Sequence, residues 1–281
     1  MSVSSGWPAP AKLNLMLHIT GRRDDGYHLL QTVFQFVDYS DELSFEVMQS
    51  GDIKQLTPIA GVDAQDDLII RAARLLQQRS GCSQGAAISI EKRLPMGGGL
   101  GGGSSDAATT LVALNHLWGV GMELDELAAL GGELGADVPV FVHGNTAWAE
   151  GVGDILQPIE LSQPWYLVVK PPLEISTVEI FSDQELKRDC SAITIADFIA
   201  GDRLNVFTAV VKKRYPAVSE MMDLLGKFGD VRLTGTGACL FLDFETQRQV
   251  TEAAGQIPQQ WGYFVAQGLN RSPLYRRLDN K

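Results

Sequence analysis

This chain of 281 residues contains little cysteine and little histidine. Its three cysteines, Cys82, Cys190 and Cys239, are far apart and form no C-x-x-C pair, which argues against a disulfide framework and a thiolate zinc site. The four histidines contain no H-E-x-x-H pair and no spacing of one helical turn. We therefore expect no metal site built from the protein's own side chains. We also expect the protein to lie in a reducing compartment, the cytoplasm.

The chain also has few basic residues and no long apolar run. With 34 acidic against 23 basic residues its formal net charge is -11, so the general surface repels nucleic acid and acidic membranes. No apolar stretch approaches the roughly 20 residues that a membrane-spanning helix needs, and the N-terminus has no basic stretch followed by an apolar segment. We expect a soluble protein without nucleic-acid or membrane partners. Any anion must be bound by a local site and not by the general charge of the surface.

The first half of the chain mixes strand and helix patterns. Alternating apolar residues predict a strand over residues 12–20, and two further strands are predicted over 32–38 and 42–48. Apolar residues at helical spacing predict three helices, over 66–79, 106–118 and 124–134. Residues 137–142 are expected to be extended, because Pro139 cannot lie inside a helix.

The second half indicates another unit of mixed strands and helices. Strands are predicted over residues 165–170, 231–233, 239–244 and 263–266, and helices near 218–228 and 246–256. The length allows one large or two ordinary domains. We expect a mixed α/β (α+β) protein with one domain over residues 1–152 and a second over 153–281.

One loop is very rich in glycine. Residues 97–103 contain six glycines and one leucine, between a predicted strand over 87–90 and a helix expected to begin near Ser104 and Ser105. Glycine gives up more chain entropy on folding than other residues, so this density indicates a use. Backbone N–H groups without neighbouring Cβ atoms can converge on an anion, and a helix N-terminus adds further donors. The loop predicts phosphate binding.

Three other structures or functions are compatible with parts of this loop. It can be a plain connection in which a serine caps the helix. The P-loop pattern requires lysine after its last glycine, but Gly98-x4-Gly103 is followed by Ser104. The dinucleotide fingerprint G-x-G-x-x-G fits residues 97–102, but Glu123, at the position of the ribose-binding acid, lies between two helical stretches and not after a second strand.

Several segments in the same order along the chain resemble those of the galactose, homoserine, mevalonate and phosphomevalonate kinase superfamily. These are residues 10–15 (P-A-K-L-N-L), 95–105 (P-M-G-G-G-L-G-G-G-S-S) and 233–239 (L-T-G-T-G-A-C). Within the superfamily, residues 26–28 (G-Y-H) and 134–139 (L-G-A-D-V-P) resemble the 4-diphosphocytidyl-2-C-methyl-D-erythritol kinase family. The resemblance spans nearly the whole chain.

The resemblance implies a fold, a reaction and a substrate. The fold has an N-terminal ribosomal-protein-S5-domain-2-like domain and a C-terminal ferredoxin-like domain, with the active site between them. The implied reaction uses ATP with Mg²⁺ and phosphorylates the 2-hydroxyl of 4-diphosphocytidyl-2-C-methyl-D-erythritol, in the non-mevalonate route to isoprenoid precursors. A different acceptor, such as mevalonate or homoserine, and a nucleotide-binding regulator without activity are the alternatives.

The resemblance also implies roles for individual residues. Lys12 and Asp137 are the expected catalytic pair, although a solvated strand lysine and a helix-capping aspartate would produce the same local sequence. The residues expected to bind ATP are Lys92, Pro95, Met96, Gly97, Gly98, Gly99, Leu100, Gly101, Gly102, Gly103, Ser104 and Ser105. Those expected to bind the substrate are Asn14, Tyr27, His28, Thr177, Phe181, Gly235 and Gly237.

Two acidic residues near the nucleotide side have open roles. Asp106 can approach a metal ion, or it can only favour the helix dipole as an acidic residue of the first turn. Asp67 occupies a position where the resemblance implies asparagine near the adenine. The resemblance therefore does not decide whether residue 67 contacts the base.

Overall fold

A computed structural model describes residues 3–63 and 65–279. Two long antiparallel strands, β1 (Val3–Arg22) and β2 (His28–Met48), form the centre of the N-terminal half. The two strands predicted over 32–38 and 42–48 are parts of β2. Their pairing with β1 continues across the polar residues between them, with Asp41 opposite Ala9 and irregularities in the register on either side.

A single sheet connects the two halves of the chain. Its other strands are β3 (Ile53–Gln55), β4 (Gly85–Glu91), β5 (Ala147–Glu150), β6 (Ile155–Pro158), β7 (Trp165–Lys170), β8 (Arg232–Leu233), β9 (Leu240–Phe244) and β10 (Gly262–Leu269). The order is β3-β4-β2-β10-β7-β9-β8, with β1 and β5 also paired to β2. The C-terminal strand β10 therefore joins the central strand β2 to the strands of the second half.

Helices pack against this sheet. They are α1 (Leu68–Ser80), α2 (Gly102–Leu117), α3 (Leu124–Gly132), α4 (Val138–His143), α5 (Thr177–Phe181), α6 (Ile195–Ala200), α7 (Phe207–Arg214), α8 (Pro216–Leu225), α9 (Gln247–Ala254) and α10 (Pro273–Asp279). Within residues 3–63 and 65–279, no helix is both long and apolar enough to cross a bilayer.

One sequence prediction about helices was wrong. The segment over 137–142 is not extended, because Val138 begins α4 and Pro139 occupies its first turn, where the missing N–H has no intrahelical partner in any case. The helix predicted to begin near Ser104 and Ser105 is confirmed, and its first residue is Gly102, inside the glycine loop. The N-termini of α2 and α4 both lie near the glycine loop.

The apolar faces form separate clusters around the sheet. In the N-terminal half, Trp7 and Phe36 are fully buried with the apolar sides of α1 to α4. In the C-terminal half, Phe207 is buried among residues of α7 to α9 and the strands they cover. A third cluster, which includes Leu13 and Phe241, lies where strands of the two halves meet. This packing fixes the strand ends from which the loops of the site emerge.

Candidate active site

Two glycine-containing loops lie against each other at the centre of the molecule. Ala238 and Cys239 donate backbone hydrogen bonds to the carbonyls of Gly97 and Gly98, both over 3.2 Å. Gly99 has a φ of +72°, and a Cβ there would overlap the carbonyl oxygen of Thr234. The close approach of the two backbones therefore requires glycine at this position.

A cavity opens on each side of the first loop. One, of about 960 Å³, is lined by Lys12, Asp137 and all of the predicted substrate residues except Gly237. The other, of about 460 Å³, is lined by residues 95–104 together with Lys92 and residues at the start of α1. Gly99 and Gly101 line both cavities. The loop thus lies between the two cavities. We name the smaller one the nucleotide cavity and the larger one the acceptor cavity, after the ligands that the kinase resemblance implies.

Lys12 and Asp137 meet beside this loop. Lys12 is 3% exposed, and its Nζ lies 3.2 Å from Oδ2 of Asp137 and donates a 2.6 Å hydrogen bond to Oδ1 of Asn14. The backbone N–H of Lys12 donates to the carbonyl of Leu100, which ties β1 to the glycine loop. Asp137, 35% exposed, precedes α4 and makes no side-chain capping bond with it, so its carboxylate remains available to the acceptor cavity.

Asn14 holds the lysine in place through a short network. Its Nδ2 donates to Oγ1 of Thr32 over 2.9 Å, and that hydroxyl donates to the carbonyl of Met16. Its backbone N–H donates to Oγ1 of Thr234, which in turn donates to the carbonyl of Gly99. Asn14 is buried and links Lys12 to both glycine loops. This network fixes the position of the lysine side chain.

Lys92 lies on the nucleotide side between two buried carboxylates. Its Nζ contacts Oδ2 of Asp41 and lies 2.7 Å from Oδ2 of Asp106. Burial opposes the charge of Lys92, but the carboxylates outweigh it and keep its pKa above the ordinary value. Burial raises the pKa of Asp106 to about 7, against the opposing effect of Lys92. Oδ1 of Asp106 has no hydrogen-bond partner among the described residues.

Asp41 also fixes the entry to the glycine loop. Its Oδ1 accepts hydrogen bonds from the backbone N–H groups of Arg93 and Leu94, over 2.6 and 2.7 Å. Asp41 is fully buried in the middle of β2, at the place where the sequence predicted a break between two strands. One side chain thereby positions both Lys92 and the backbone that leads into the loop.

The two serines at the start of α2 face different surroundings. Ser104 lines the nucleotide cavity, whereas Ser105 is fully buried and lines neither large cavity. The hydroxyl of Ser105 has no hydrogen-bond partner within the part of the chain that the structure describes. Asp67 caps α1 by accepting from the N–H of Ile69 over 2.8 Å, and its other oxygen accepts from Gln55. Both oxygens of Asp67 are thus bound within the protein.

The far end of the acceptor cavity is aromatic and basic. The ring of His28 lies 5.2 Å from that of Phe181, which contacts Phe207 at 4.8 Å. Nε of Arg188 donates to Nε2 of His28 over 3.1 Å. Burial and the neighbouring positive charges of Arg188 and Arg22 lower the pKa of His28. Tyr27 is 64% exposed at the mouth of the cavity.

The second glycine loop borders the cavity through only part of its length. Gly235 and Thr236 line the cavity, and the hydroxyls of Thr236 and Thr177 lie 3.0 Å apart. Gly237 does not line it, since a Cβ there would face Ile175 and Leu233. The amide of Asn205 supports this loop from behind by donating to the carbonyls of Leu233 and Gly235, over 2.8 and 2.9 Å.

The structure thus places most of the predicted site residues around the two cavities, although Ser105 and Gly237 line neither. Arg188, Asn205 and Asp41 were not predicted from the sequence. Arg188 follows α5 in irregular chain, where hydrophobic periodicity carries no information. Among residues 3–63 and 65–279, no three histidine, cysteine or acidic side chains are grouped closely enough to hold a metal ion.

Comparison with protein families matches both halves of the chain. Residues 67–145 match the family of the GHMP kinases N terminal domain, and residues 188–262 match GHMP kinases C terminal. The first match contains the glycine loop and Asp137. The second contains Asn205 and the glycine loop at 235–237.

Individual relatives give a finer assignment. A protein of Nitrosococcus oceani named 4-diphosphocytidyl-2-C-methyl-D-erythritol kinase is 57% identical, over 97% of this chain and 98% of its own length. A Pseudomonas aeruginosa protein of the same name is 55% identical over 99% of both. A crystal structure of 4-(cytidine 5'-diphospho)-2C-methyl-D-erythritol kinase superposes with a TM-score of 0.82 at 30% identity, over 95% of this chain and 99% of that one. A mevalonate kinase structure, 15% identical over 96% of this chain and all of its own, shares the fold with a TM-score of 0.69. With this fold and these relatives, the chain belongs to the 4-diphosphocytidyl-2-C-methyl-D-erythritol kinase family of the GHMP kinases.

Proposed function

We propose that this protein transfers the γ-phosphoryl group of ATP to the 2-hydroxyl of 4-diphosphocytidyl-2-C-methyl-D-erythritol, within the non-mevalonate route to isoprenoid precursors. The observation that supports this most directly is the Lys12–Asp137 pair, 3.2 Å apart, beside a glycine loop that lines two cavities. ATP occupies the smaller cavity and the acceptor the larger. The names of the relatives support the identity of the acceptor.

The reaction is an in-line displacement at the γ-phosphorus. The 2-hydroxyl oxygen of the acceptor forms a bond to the phosphorus, the bond to the β,γ-bridging oxygen breaks, and ADP leaves. Because the transition state of phosphoryl transfer is loose, catalysis consists mainly of alignment and charge neutralisation. Asp137 orients the hydroxyl and takes its proton, while the buried ammonium of Lys12 neutralises charge on the transferred group.

The glycine loop supplies the nucleotide side of the site. Backbone N–H groups of residues 97–103 and the N-terminus of α2 at Gly102 surround the phosphates. Lys92 adds a positive charge that its two carboxylates hold in place. Mg²⁺ carried with ATP would supply charge neutralisation at the phosphate oxygens, and Ser104, which lines the cavity, and Asp106, whose Oδ1 has no partner among the described residues, would hold it.

The base of the acceptor binds in the larger cavity, at the end that lies away from the Lys12–Asp137 pair. His28 and Phe181 present a ring pair that can stack on a base and hydrogen-bond its edge, and Tyr27 lies at the mouth. Asn14, Thr177 and Gly235 line the same cavity, and Asn14 is hydrogen-bonded directly to Lys12. Lys12, Arg22 and Arg188 give the cavity three cationic side chains against two acidic ones, Asp25 and Asp137, which suits a diphosphate.

A panel assay tests this function. ADP release is measured with ATP, with and without Mg²⁺, over 4-diphosphocytidyl-2-C-methyl-D-erythritol, mevalonate and homoserine. We expect Mg²⁺-dependent turnover on the diphosphocytidyl substrate alone. Turnover on mevalonate or homoserine alone would overturn the acceptor, and nucleotide binding without turnover on any acceptor would favour a regulator.

Two further proposals concern organisation and location. We place the division between domains at residues 152 and 153, supported by the two family matches, which fall on either side of it. A small-molecule kinase whose cysteines are all free is suited to a reducing cytoplasm, which is where we propose it acts.

A further inference from the structure

Arg188 has an unusual set of partners for an arginine beside a ligand cavity. Its Nη2 donates to the carbonyls of Phe181 and Asp183, over 2.8 and 2.7 Å, and its Nη1 donates to that of Leu186 over 3.1 Å. Its Nε donates to Nε2 of His28 over 3.1 Å. Among residues 3–63 and 65–279, no carboxylate lies within ion-pairing distance of this guanidinium. Three backbone carbonyls therefore fix its orientation, and the fourth bond is directed at the imidazole.

The bond from Arg188 determines where the proton of His28 resides. Arginine remains protonated in proteins and can only donate hydrogen bonds. Nε2 of His28 must therefore accept through its lone pair, which leaves the single proton of the neutral imidazole on Nδ1. A second proton on Nε2 would oppose the N–H donor of Arg188 and the positive charges of Arg188 and Arg22, consistent with a lowered pKa of His28, for which burial is the larger cause.

The proton on Nδ1 is available to a ligand. Nδ1 makes no hydrogen bond to any residue that the structure describes, and it is not among the enclosed polar atoms without partners. His28 lines the 960 Å³ cavity next to the ring of Phe181. A base placed against that ring would meet an N–H donor at its edge, in a fixed orientation.

We propose that Arg188 is a positioning residue that holds His28 in the Nδ1–H tautomer, so that the imidazole donates to an acceptor atom on the base of the substrate. The inference rests on the proposed function for the identity of that base. A cytosine offers a carbonyl oxygen and an unprotonated ring nitrogen as acceptors. In this arrangement His28 selects for an acceptor, and it does not take part in proton transfer.

The tautomer is measured directly by long-range ¹H–¹⁵N NMR of the ligand-free protein labelled at its four histidines. The His28 signals are identified by their absence from the His28→Gln variant. At pH 7.5 we expect a protonated Nδ1 and an unprotonated Nε2. A protonated Nε2 would overturn the proposal, and this result does not depend on any activity. A correct tautomer without turnover on the diphosphocytidyl substrate would overturn the proposed function and leave the tautomer established.

The Arg188→Met variant tests the consequence for binding. Without the arginine, the neutral imidazole can place its proton on either nitrogen, so at pH 8 we expect KM for the acceptor to rise roughly two- to twelvefold, the worth of one hydrogen bond. When the pH falls below the pKa of His28, which burial keeps below its ordinary value, the imidazole gains a second proton and Nδ1 always carries a donor, so the KM defect should shrink towards acid pH. We expect kcat to change little, because Arg188 does not contact Lys12 or Asp137.

The control for charge and length is Arg248→Met, which removes an arginine that is 87% exposed and paired with Glu252 on the surface of α9. Its KM should equal that of the unmodified protein at every pH. A KM defect of Arg188→Met that is constant with pH would indicate a structural role and overturn the proposal, as would an unchanged KM. If this variant does not fold, the NMR result on the unmodified protein decides alone.

Discussion

Replacing Asp137 by asparagine removes one negative charge and one proton acceptor and leaves the shape of the side chain almost unchanged. The carboxylate lies 3.2 Å from Nζ of Lys12 and makes no capping bond with α4. The amide oxygen of asparagine can still accept from Lys12, so the positions of the lysine and of the helix should be preserved. The variant therefore isolates the proton-accepting and charge-related part of the role.

The expected loss follows from these contacts. General-base groups contribute about 10²–10⁴ in rate, which corresponds to about 2.7–5.5 kcal/mol in the activation barrier. We expect turnover to fall at least a hundredfold. The effect on folding should be small, because an ion pair with a partner as exposed as Asp137 contributes only about 0–1 kcal/mol. ATP affinity should change little, since the glycine loop and Lys92 do not contact Asp137.

Turnover is measured by ADP release, and nucleotide affinity by calorimetry with a non-hydrolysable ATP analogue. The matched control is Asp125→Asn, which removes an aspartate that is 96% exposed on α3. Near-normal turnover in Asp137→Asn would remove this residue from the mechanism. A large loss of ATP affinity would show that the carboxylate acts through the nucleotide side instead.

Three other perturbations follow from the site. Lys12→Met keeps the apolar stem but removes the buried ammonium, and we expect kcat to fall by about 10²–10³, as for other groups that stabilise transition-state charge, in the ADP-release assay. Gly99→Ala should lower the free energy of unfolding by about 1–3 kcal/mol more than Gly97→Ala, because both glycines have positive φ but only Gly99 would bring a Cβ against Thr234; urea denaturation measures this. Asp106 has a pKa raised to about 7, so its contribution to stability is full below about pH 4 and is lost as the pH rises towards 7. Asp106→Asn should flatten that part of the pH–stability profile.

Each of these expectations has a result that contradicts it. Unchanged kcat in Lys12→Met would exclude charge neutralisation by that residue. Equal destabilisation of the two alanine variants would mean that the loops separate at no cost, so that their contact contributes nothing. An identical pH–stability profile in Asp106→Asn would show that this carboxyl does not titrate in that range.

Local patterns predicted some elements well and failed for identifiable reasons. The helix ending at Gly81 was predicted, because apolar spacing and a glycine C-cap are both local signals. Strand β2 was predicted as two pieces, since the polar residues near Asp41 look like a turn when their burial against Lys92 is not known. The segment after Asp137 was predicted to be extended because proline disfavours helix interiors, whereas the first turn of α4 accepts it.

The sequence by itself determined that a glycine-rich loop, predicted to bind phosphate, follows a strand and precedes a helix, because glycine density and alternation are properties of neighbouring residues. Tertiary structure decided which distant residues complete the loop. Lys12 meets Asp137 across 125 positions, and Arg188 meets His28 across 160. Such contacts depend on how strands are ordered in the sheet and where their connecting segments return, and no pattern of neighbouring residues records this. The glycine loop is therefore visible in the chain, whereas the lysine–aspartate pair and the arginine–histidine contact exist only once it is folded.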